Sequence, residues 1–496
     1  MTRLERVQLE TPRKIQFAAE ALAKQGEFGA ITEMSESYGV SRHTTYAVQE
    51  TAQEILKAHF DGPQEQAGPI CVADDAQIHR VIIAMRVMTH CSLRGIEEML
   101  PIIYPGISWS YGKIQAILAE GERRAARFNA QADLKSIQAG AVDEMFSQGQ
   151  PVLAGVDLDT GYLFCLELRQ HRSGKDWAEL IEKASKQGLS LKVVVKDAGS
   201  GMASGFKKAS PNTEQRDDCF HAVYEMNKVR YRLEKQAYKA IEAEQAAEQE
   251  YAEKPTELLK KWYLEDHLNP ARKRCREAID RFDRFEEAAK QVKIGLDYFD
   301  ESKGELLTGK RTEEIIRNAA ETMRELGTGC QKIATYLYNR APGLALSNQS
   351  LNTALHALEK SFAPVVILLA VLFWRSVQDI HNPTASMKTI AIGALLLQLV
   401  GEEQAKQVID EVHTCLEHRY RASSAIEGFN AALRPHLYVH KGATQGFLEL
   451  FRARYNLRIR RFGRHKGTSA HECLSGRQDD SDWLTLIGYP PSRTLH

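Results

Sequence analysis

At 496 residues the chain exceeds one ordinary domain, and roughly two to four units are expected. A charged fraction of 26% beside 43% hydrophobic residues reads as a soluble chain with ample material for packed cores. Formal net charge is zero, which excludes a uniformly basic or acidic protein but not a segregated one. Glu242, Glu244, Glu248, Glu250 and Glu253 crowd one polar helix, while basic residues gather towards the C-terminus.

The first sixty residues read as three helices. Pro12 opens a helix with Ile15, Ala18, Ala19 and Leu22 at helical spacing, Ile31–Tyr38 forms a second, Gly39 turns the chain, and Ser41 caps a third. That rhythm is a helix-turn-helix whose last helix starts Arg42, His43, Thr44, Thr45, side chains able to meet DNA phosphates and base edges. A plain helical hairpin is the alternative. Asp61–Pro69 is a linker by composition. A second helical unit over 70–130 repeats the pattern, with a Pro/Gly turn and a Ser-capped helix from about Ser108 that carries Lys113. Two tandem DNA-reading units suit recognition of a long specific site.

From 131 to 223 the period changes. "LKSIQAGAVDEMF" reads as a strand, and "PVLAGVDLDTGYLFCLELRQH" as a hairpin turning at Asp159-Thr160-Gly161. An amphipathic helix ending at Gly188 follows, then "SLKVVVKDAGSG", an apolar strand of the kind buried mid-sheet. From 224 to 405 everything reads as helix, broken at Pro255, Asn269-Pro270, Gly304–Gly309, Pro342-Gly343 and Asn382-Pro383. Two apolar runs there, Phe362–Trp374 and Thr389–Val400, are too short to span a bilayer and are expected to be buried helices. Residues 406–474 end in an amphipathic helix, Thr444–Arg461, with Phe447, Leu448, Phe451, Tyr455 and Ile459 on its apolar stripe and arginines elsewhere; 475–496 reads as a tail.

Eight scattered cysteines without a CxxC pair suit a reducing cytoplasm better than a disulfide framework or zinc finger, and "MTRLERVQLE" lacks the apolar core of a signal peptide. "GELLTGKRT", Gly304–Thr312, nearly fits a phosphate-binding loop. Arg311 stands where Ser or Thr should be, and Thr312 as a helix cap explains the stretch better.

Three acidic residues stand out. Asp143 interrupts the apolar run "AVDEMF", and Asp197 ends "VVVKDAGSG". Carboxylates at the ends of neighbouring strands make an oxygen-rich site for hard divalent ions, and two such ions roughly 4 Å apart serve phosphoryl transfer. Glu427 lies in "SSAIEGFNAALRP" within a basic stretch: Arg419–Lys466 holds eleven Lys or Arg and two carboxylates, 11 − 2 = +9. There the basic surface would hold phosphates and Glu427 the metal. Asp157 and Asp159 compete for the first role but flank the hairpin turn. Glu449, the other carboxylate, is expected to matter little to activity.

This arrangement resembles the DDE transposases, whose core is RNase H-like with order β-β-β-α-β-α-β, over 137–223 and 406–474. The resemblance implies Asp143, Asp197 and Glu427 as catalytic metal ligands, two Mg2+ ions with Mn2+ as substitute, and cleavage and joining of double-stranded DNA. The gaps are 197 − 143 = 54 and 427 − 197 = 230 residues, the second resembling the helical insertion of hAT and Mutator-like transposases. Asp218 and His221 in "RDDCFHAV" resemble a motif of such enzymes, and the order Glu427-x-x-Asn430-x-x-Leu433-Arg434-Pro435 resembles bacterial insertion-sequence transposases. Arg434, His440, Lys441, Arg452 and Arg458, with Asn430, are expected near DNA. The implied fold is multidomain α/β plus all-α, an RNase H-like mixed-sheet core split by a helical insertion behind N-terminal helix-turn-helix units. The implied assembly is a homodimer or higher on paired transposon ends and target, in the bacterial cytoplasm at the nucleoid, with no membrane. An inactive transposase-derived regulator and an RNase H-like nuclease without strand transfer are the alternatives.

Overall fold

The computed structural model describes residues 9–60, 74–197, 199–378, 383–421, 423–439 and 442–491. The chain forms two compact units, one containing Met1–Ala73 and the other Asp74–Pro491. It is mostly helical, with one mixed five-stranded sheet.

The first unit is three helices, α1 (Thr11–Ala23), α2 (Ala30–Tyr38) and α3 (Arg42–Phe60). Gly39, at φ +63°, turns the chain after α2, and the Ser41 hydroxyl accepts the Thr44 N–H at 3.1 Å to start α3. The buried face of α1 differs from the expected stripe. Phe17 and Ala21 are buried, with the Phe17 ring 4.6 Å from Tyr38, while Ile15 and Ala19 face solvent. The aromatic side chain carries the larger burial gain and sets the rotation of the helix.

The second unit opens with α4 (Asp75–Met88), α5 (Leu93–Ile103) and α6 (Tyr111–Ala130), capped by Asp74, Ser92 and Ser110 rather than Ser108. These helices are not a separate domain. Arg80 donates to the hydroxyl of Thr485 at 3.2 Å and pairs with Asp482, and Asn129 donates to the carbonyl and carboxylate of Glu449 at 2.9 and 2.7 Å. The expected boundaries at 130 and 475 therefore run through shared packing.

The sheet follows as β1 (Ala139–Ser147), β2 (Gln150–Asp157), β3 (Leu163–Leu168), α7 (Gly174–Ser185), β4 (Val193–Lys196), α8 (Ser200–Ala209) and β5 (Glu214–Asp217). Its spatial order is β3-β2-β1-β4-β5, with β1 antiparallel to β2, β2 antiparallel to β3, and β4 parallel to both β1 and β5. Val142, Leu153, Phe164 and Val194 pack with Trp177, Ile181, Met202 and Phe206, so α7 and α8 cover one face. Sequence reading missed α8 and β5, because "EQRD" has no apolar content to mark a strand.

The insertion holds α9 (Cys219–Ala252), α10 (Glu257–Tyr263), a π-helical turn (Leu264–Leu268) and α11 (Asn269–Leu296). The strand pair β6 (Phe299–Asp300) and β7 (Glu305–Leu306) follows, then α12 (Gly309–Glu325), α13 (Gln331–Leu358), α14 (Pro364–Gln378) and α15 (Pro383–Glu417). It is thus not wholly helical, and two expected breaks are absent. The π turn carries α10 into α11 past Asn269-Pro270, and α13 runs through Pro342-Gly343. A Cβ on Gly343 would lie 2.0 Å from an Asp217 carboxylate oxygen, so glycine there lets α13 close on β5. Thr308, not Thr312, caps α12; the Thr312 hydroxyl is buried and accepts from Asn348 at 2.7 Å. Of the two apolar runs, Phe362–Trp374 contributes Phe362, Val366, Ile367, Ala370 and Val371 to a core. Thr389–Val400 departs from expectation: it stands largely exposed on α15, which bends at Gly401 (φ +77°). Among the described residues Thr384–Glu417 is the one helix long and apolar enough to cross a membrane.

The chain returns to the sheet through α16 (Ser424–Val439) and α17 (Gln445–Leu457), then α18 (Ala470–Ser475) and α19 (Trp483–Leu486).

Candidate functional site

Register brings the two aspartates together. Val142 pairs with Lys196, and Lys196 with Asp217, all in parallel ladders. One residue further on, Asp143 in the middle of β1 falls in a row with Asp197 and Asp218, just past the ends of β4 and β5, with neighbouring strands about 4.8 Å apart. Alternation along β1 puts Asp143 on the face opposite Val142, away from α7 and α8. There the buried Asn430 of α16 donates to Asp143 at 2.5 Å, and Asp143 also accepts the N–H of Glu144 at 2.7 Å. Glu144 turns to the other face, accepting from Trp177 Nε1 and Arg172 at 2.9 Å each.

A latch at the end of β5 carries α16 to this row. Asp218 caps α9 by accepting the Phe220 N–H at 2.7 Å, Ser423 donates to its other oxygen, and the Cys219 N–H reaches the Arg421 carbonyl at 3.0 Å. Asp218 is buried and fully engaged, so its role is architectural. His221, one turn into α9, lies with Nδ1 3.2 Å from an Asp197 oxygen and Nε2 3.9 Å from Glu225. Glu427 occupies the first turn of α16 with its side chain at the exposed rim.

These carboxylates act on one another electrostatically. Burial lifts the Asp197 carboxyl to about 6; His221 opposes the rise, while Asp143, Asp218 and Glu427 add to it. Burial likewise raises Asp143, against the hydrogen bonds from Glu144 and Asn430. Lost hydration raises Glu427, with Asp143 adding to the rise and Arg434 opposing it. Such crowding of like charge is the condition that a cation relieves. The donors are hard oxygens, which suits Mg2+ or Mn2+. Among the described residues no three acidic, His or Cys side chains stand close enough, as placed, to enclose an ion.

The competing aspartates are elsewhere. Asp157 is buried and accepts the Thr160 N–H at 2.9 Å within the hairpin turn, and Asp159 accepts from the Tyr420 hydroxyl at 2.7 Å.

The candidate DNA-contacting residues divide. Arg42, His43 and Thr44 are exposed at the start of α3, but Thr45 is fully buried and its hydroxyl bonds Ser35 at 3.0 Å, which removes it from the surface. Lys113 is exposed, its ammonium 3.3 Å from the centre of the Trp109 ring. Arg434 is exposed, and Arg458 is half-buried with its guanidinium over Tyr455. His440 and Lys441 lie outside the described residues. Arg452 is buried, donating to the carbonyls of Leu163 at 2.9 Å and Phe164 at 2.5 Å, so it does not face DNA. Nor does the buried Asn430. Glu449 is engaged too, accepting from Asn129 and from Gln445 at 3.0 Å.

Sequence reading missed Ser423, and also His436, which is buried against Phe447 and Phe451 with Nδ1 3.1 Å from Nδ1 of His90. Nothing in the local sequence marks either as part of a contact this distant along the chain. No family model matches the chain, and no curated protein matches it.

Proposed function

We propose that the chain is a DNA transposase of the DDE type, cleaving transposon ends and joining them to target DNA. The observation that carries this reading is the single register row of Asp143 and Asp197, with Asn430 on the helix of Glu427 bonded to Asp143. Two further observations support it. The element order β-β-β-α-β-α-β is the one the DDE resemblance implies, and the mixed five-stranded sheet, ordered β3-β2-β1-β4-β5, is compatible with it. The first unit is three helices, which suits a helix-turn-helix, with Arg42, His43 and Thr44 exposed at the start of the third.

Asp143, Asp197 and Glu427 would hold Mg2+. When bound, a pair of such ions polarises the scissile phosphate and stabilises the attacking and leaving oxygens. The protein's own contribution is positional. Asn430 holds the Asp143 carboxylate, His221 holds Asp197, and the latch at Asp218 and Ser423 carries α16 across the 427 − 197 = 230 residue gap. Arg434, on the same helix as Glu427, supplies a positive charge for the DNA backbone. The site of action would be the bacterial nucleoid.

The test is cleavage and strand transfer with duplexes copied from inverted repeats flanking the gene. Magnesium-dependent nicking at the repeat end followed by joining to a second duplex is expected. Cleavage without joining would leave an RNase H-like nuclease, and specific binding without either reaction a regulator.

A further inference from the structure

Helix α9 buries one side and carries a row of aromatic rings on the other. Cys219, Ala222, Met226 and Leu233 enter the core shared with α11, α12 and α13. On the opposite side Phe220, Tyr224, Tyr231 and Tyr238 are 56, 51, 69 and 62% exposed. Their spacings are 224 − 220 = 4, 231 − 220 = 11 and 238 − 220 = 18 residues, which at about 100° per residue put all four within a sector of about 40°. A single exposed ring needs no explanation; four in register do.

A second row runs beside the first. Lys228, Arg232, Lys235 and Lys239 recur at 232 − 228 = 4, 235 − 228 = 7 and 239 − 228 = 11 residues, all exposed, on one flank of the rings. The Lys228 ammonium stands 4.3 Å from the centre of the Tyr224 ring. The carboxylates within this stretch, Glu225 and Glu234, lie outside both rows and pair with Lys228 and Arg230. The aromatic row starts at the candidate site: Asp218 caps α9, and the Tyr224 ring lies 6.4 Å from that of His221, which contacts Asp197. It ends at the exposed Glu242, on the same line at 242 − 220 = 22 residues, where the acidic half of the helix begins.

We infer that this side of α9 is a track for an unpaired DNA strand at the Asp143–Asp197 row, with bases stacked on the rings and phosphates along the cations. Every base has a π-face, so a line of rings beside a line of cations suits a single strand of any sequence. In a duplex those faces are closed by base stacking, and paired DNA would meet the cations alone. From Phe220 to Tyr238 the helix rises about 27 Å, the length of roughly eight nucleotides at ~3.4 Å each. A partner helix is the competing occupant, because spacings of four and seven also fit a heptad seam. Against it, the companion positions of that seam hold the exposed Asn227 and half-buried Glu234, where an apolar seam is needed. The inference deepens the proposed function, on which the identity of the strand as a transposon end rests.

The experiment is equilibrium binding of the full chain, without divalent ions, to an eight-nucleotide single strand carrying 2-aminopurine and to a blunt duplex of unrelated sequence. The single strand should bind with its 2-aminopurine fluorescence quenched. Tyr224→Ala with Tyr231→Ala should weaken that binding at least about 30-fold, leave the duplex within about two-fold, and leave the thermal melt unchanged. Tyr231→Phe should bind as the wild type does, whereas Tyr231→Leu, which keeps apolar area but has no π-face, should lose about ten-fold. Lys235→Gln with Lys239→Gln should lower the slope of log affinity against log salt by about 1.4, two phosphates at about 0.7 each. Unchanged single-strand affinity in the double-alanine variant, or an equal loss on the duplex, would overturn the inference. So would a lowered melt in that variant, which would mean the rings are covered within the chain. Wild-type self-association in sedimentation that the same variant loses would also overturn it, assigning the row to a partner helix. A chain that passes these tests yet never cleaves DNA would keep the inference and lose the transposase reading; one that transposes while its single-strand affinity ignores the rings would do the reverse.

Discussion

Helices α16 and α17 are neighbours in sequence and alike in composition, yet they spend their polar residues in opposite ways. On α17, Gln445, Arg452 and Asn456 share one stripe and turn inward. Gln445 accepts the Leu168 N–H at 2.9 Å, Asn456 accepts the Leu163 N–H at 2.8 Å, and Arg452 takes the carbonyls of Leu163 and Phe164. Together they cover the free edge of β3, which would otherwise present unpaired backbone groups. On α16 Asn430 turns inward to Asp143 and His436 packs against Phe447 and Phe451, while Glu427 and Arg434 stay exposed. An amphipathic helix can therefore bury its polar residues against a sheet edge or keep them at the surface, and burial distinguishes the two.

That contrast can be broken by substitution. Glu427→Gln removes a charge from an exposed position, so cleavage and joining should fall at least about 1,000-fold while the melting temperature holds. Single-turnover assays beside a thermal melt would measure both. Arg452→Ala should do the reverse, costing about 3 kcal/mol of stability in urea unfolding by stranding buried carbonyls, with DNA affinity preserved while the chain is folded.

The carboxylates give a smaller, pH-dependent effect. The Asp197 carboxyl titrates at about 6 in the folded chain against the ordinary 3.8. A carboxyl so raised favours folding below its unfolded value, and that contribution is lost as pH rises through about 6. Asp197→Asn should therefore raise stability at pH 8 by about 1–2 kcal/mol, discounted for partial exposure, with little gain at pH 4. Melts without divalent ions at the two pH values would check this. Smallest is the division within α3. Arg42→Ala should lower the slope of log affinity against log salt by about one, whereas Thr45→Val should cost about 1 kcal/mol of stability and leave the slope unchanged.

Much of this was legible in the sequence. A change of period after residue 131, the Asp-Thr-Gly turn and the apolar run "VVV" marked β1 to β4, and Gly39 and Ser41 marked the turn into α3. Asp143 and Asp197 were visible because each interrupts or ends an apolar strand. What stayed hidden depended on distant partners. β5 is polar because its charges are partnered: Arg216 pairs with Glu214 on the same strand at 2.5 Å and donates to Ser350 and the Arg419 carbonyl, and Asp217 pairs with the distant Arg340 at 3.0 Å. Arg452 and Glu449 read as surface charges because their partners, on β3 and α6, lie hundreds of residues upstream. Pro342-Gly343 reads as a break, since only the approach of Asp217 explains a glycine inside a helix.

The central claim is that Asp143, Asp197 and Glu427 form one divalent-ion site although α16 arrives so late in the chain. Calorimetric titration with Mn2+ in the presence of DNA ends tests it most directly, because stoichiometry reports which carboxylates share the ions. The account predicts two ions for the wild type, one for Glu427→Gln, and none of comparable affinity for Asp143→Asn or Asp197→Asn. Identical isotherms for the wild type and Glu427→Gln, with both folded and bound to DNA, would contradict it.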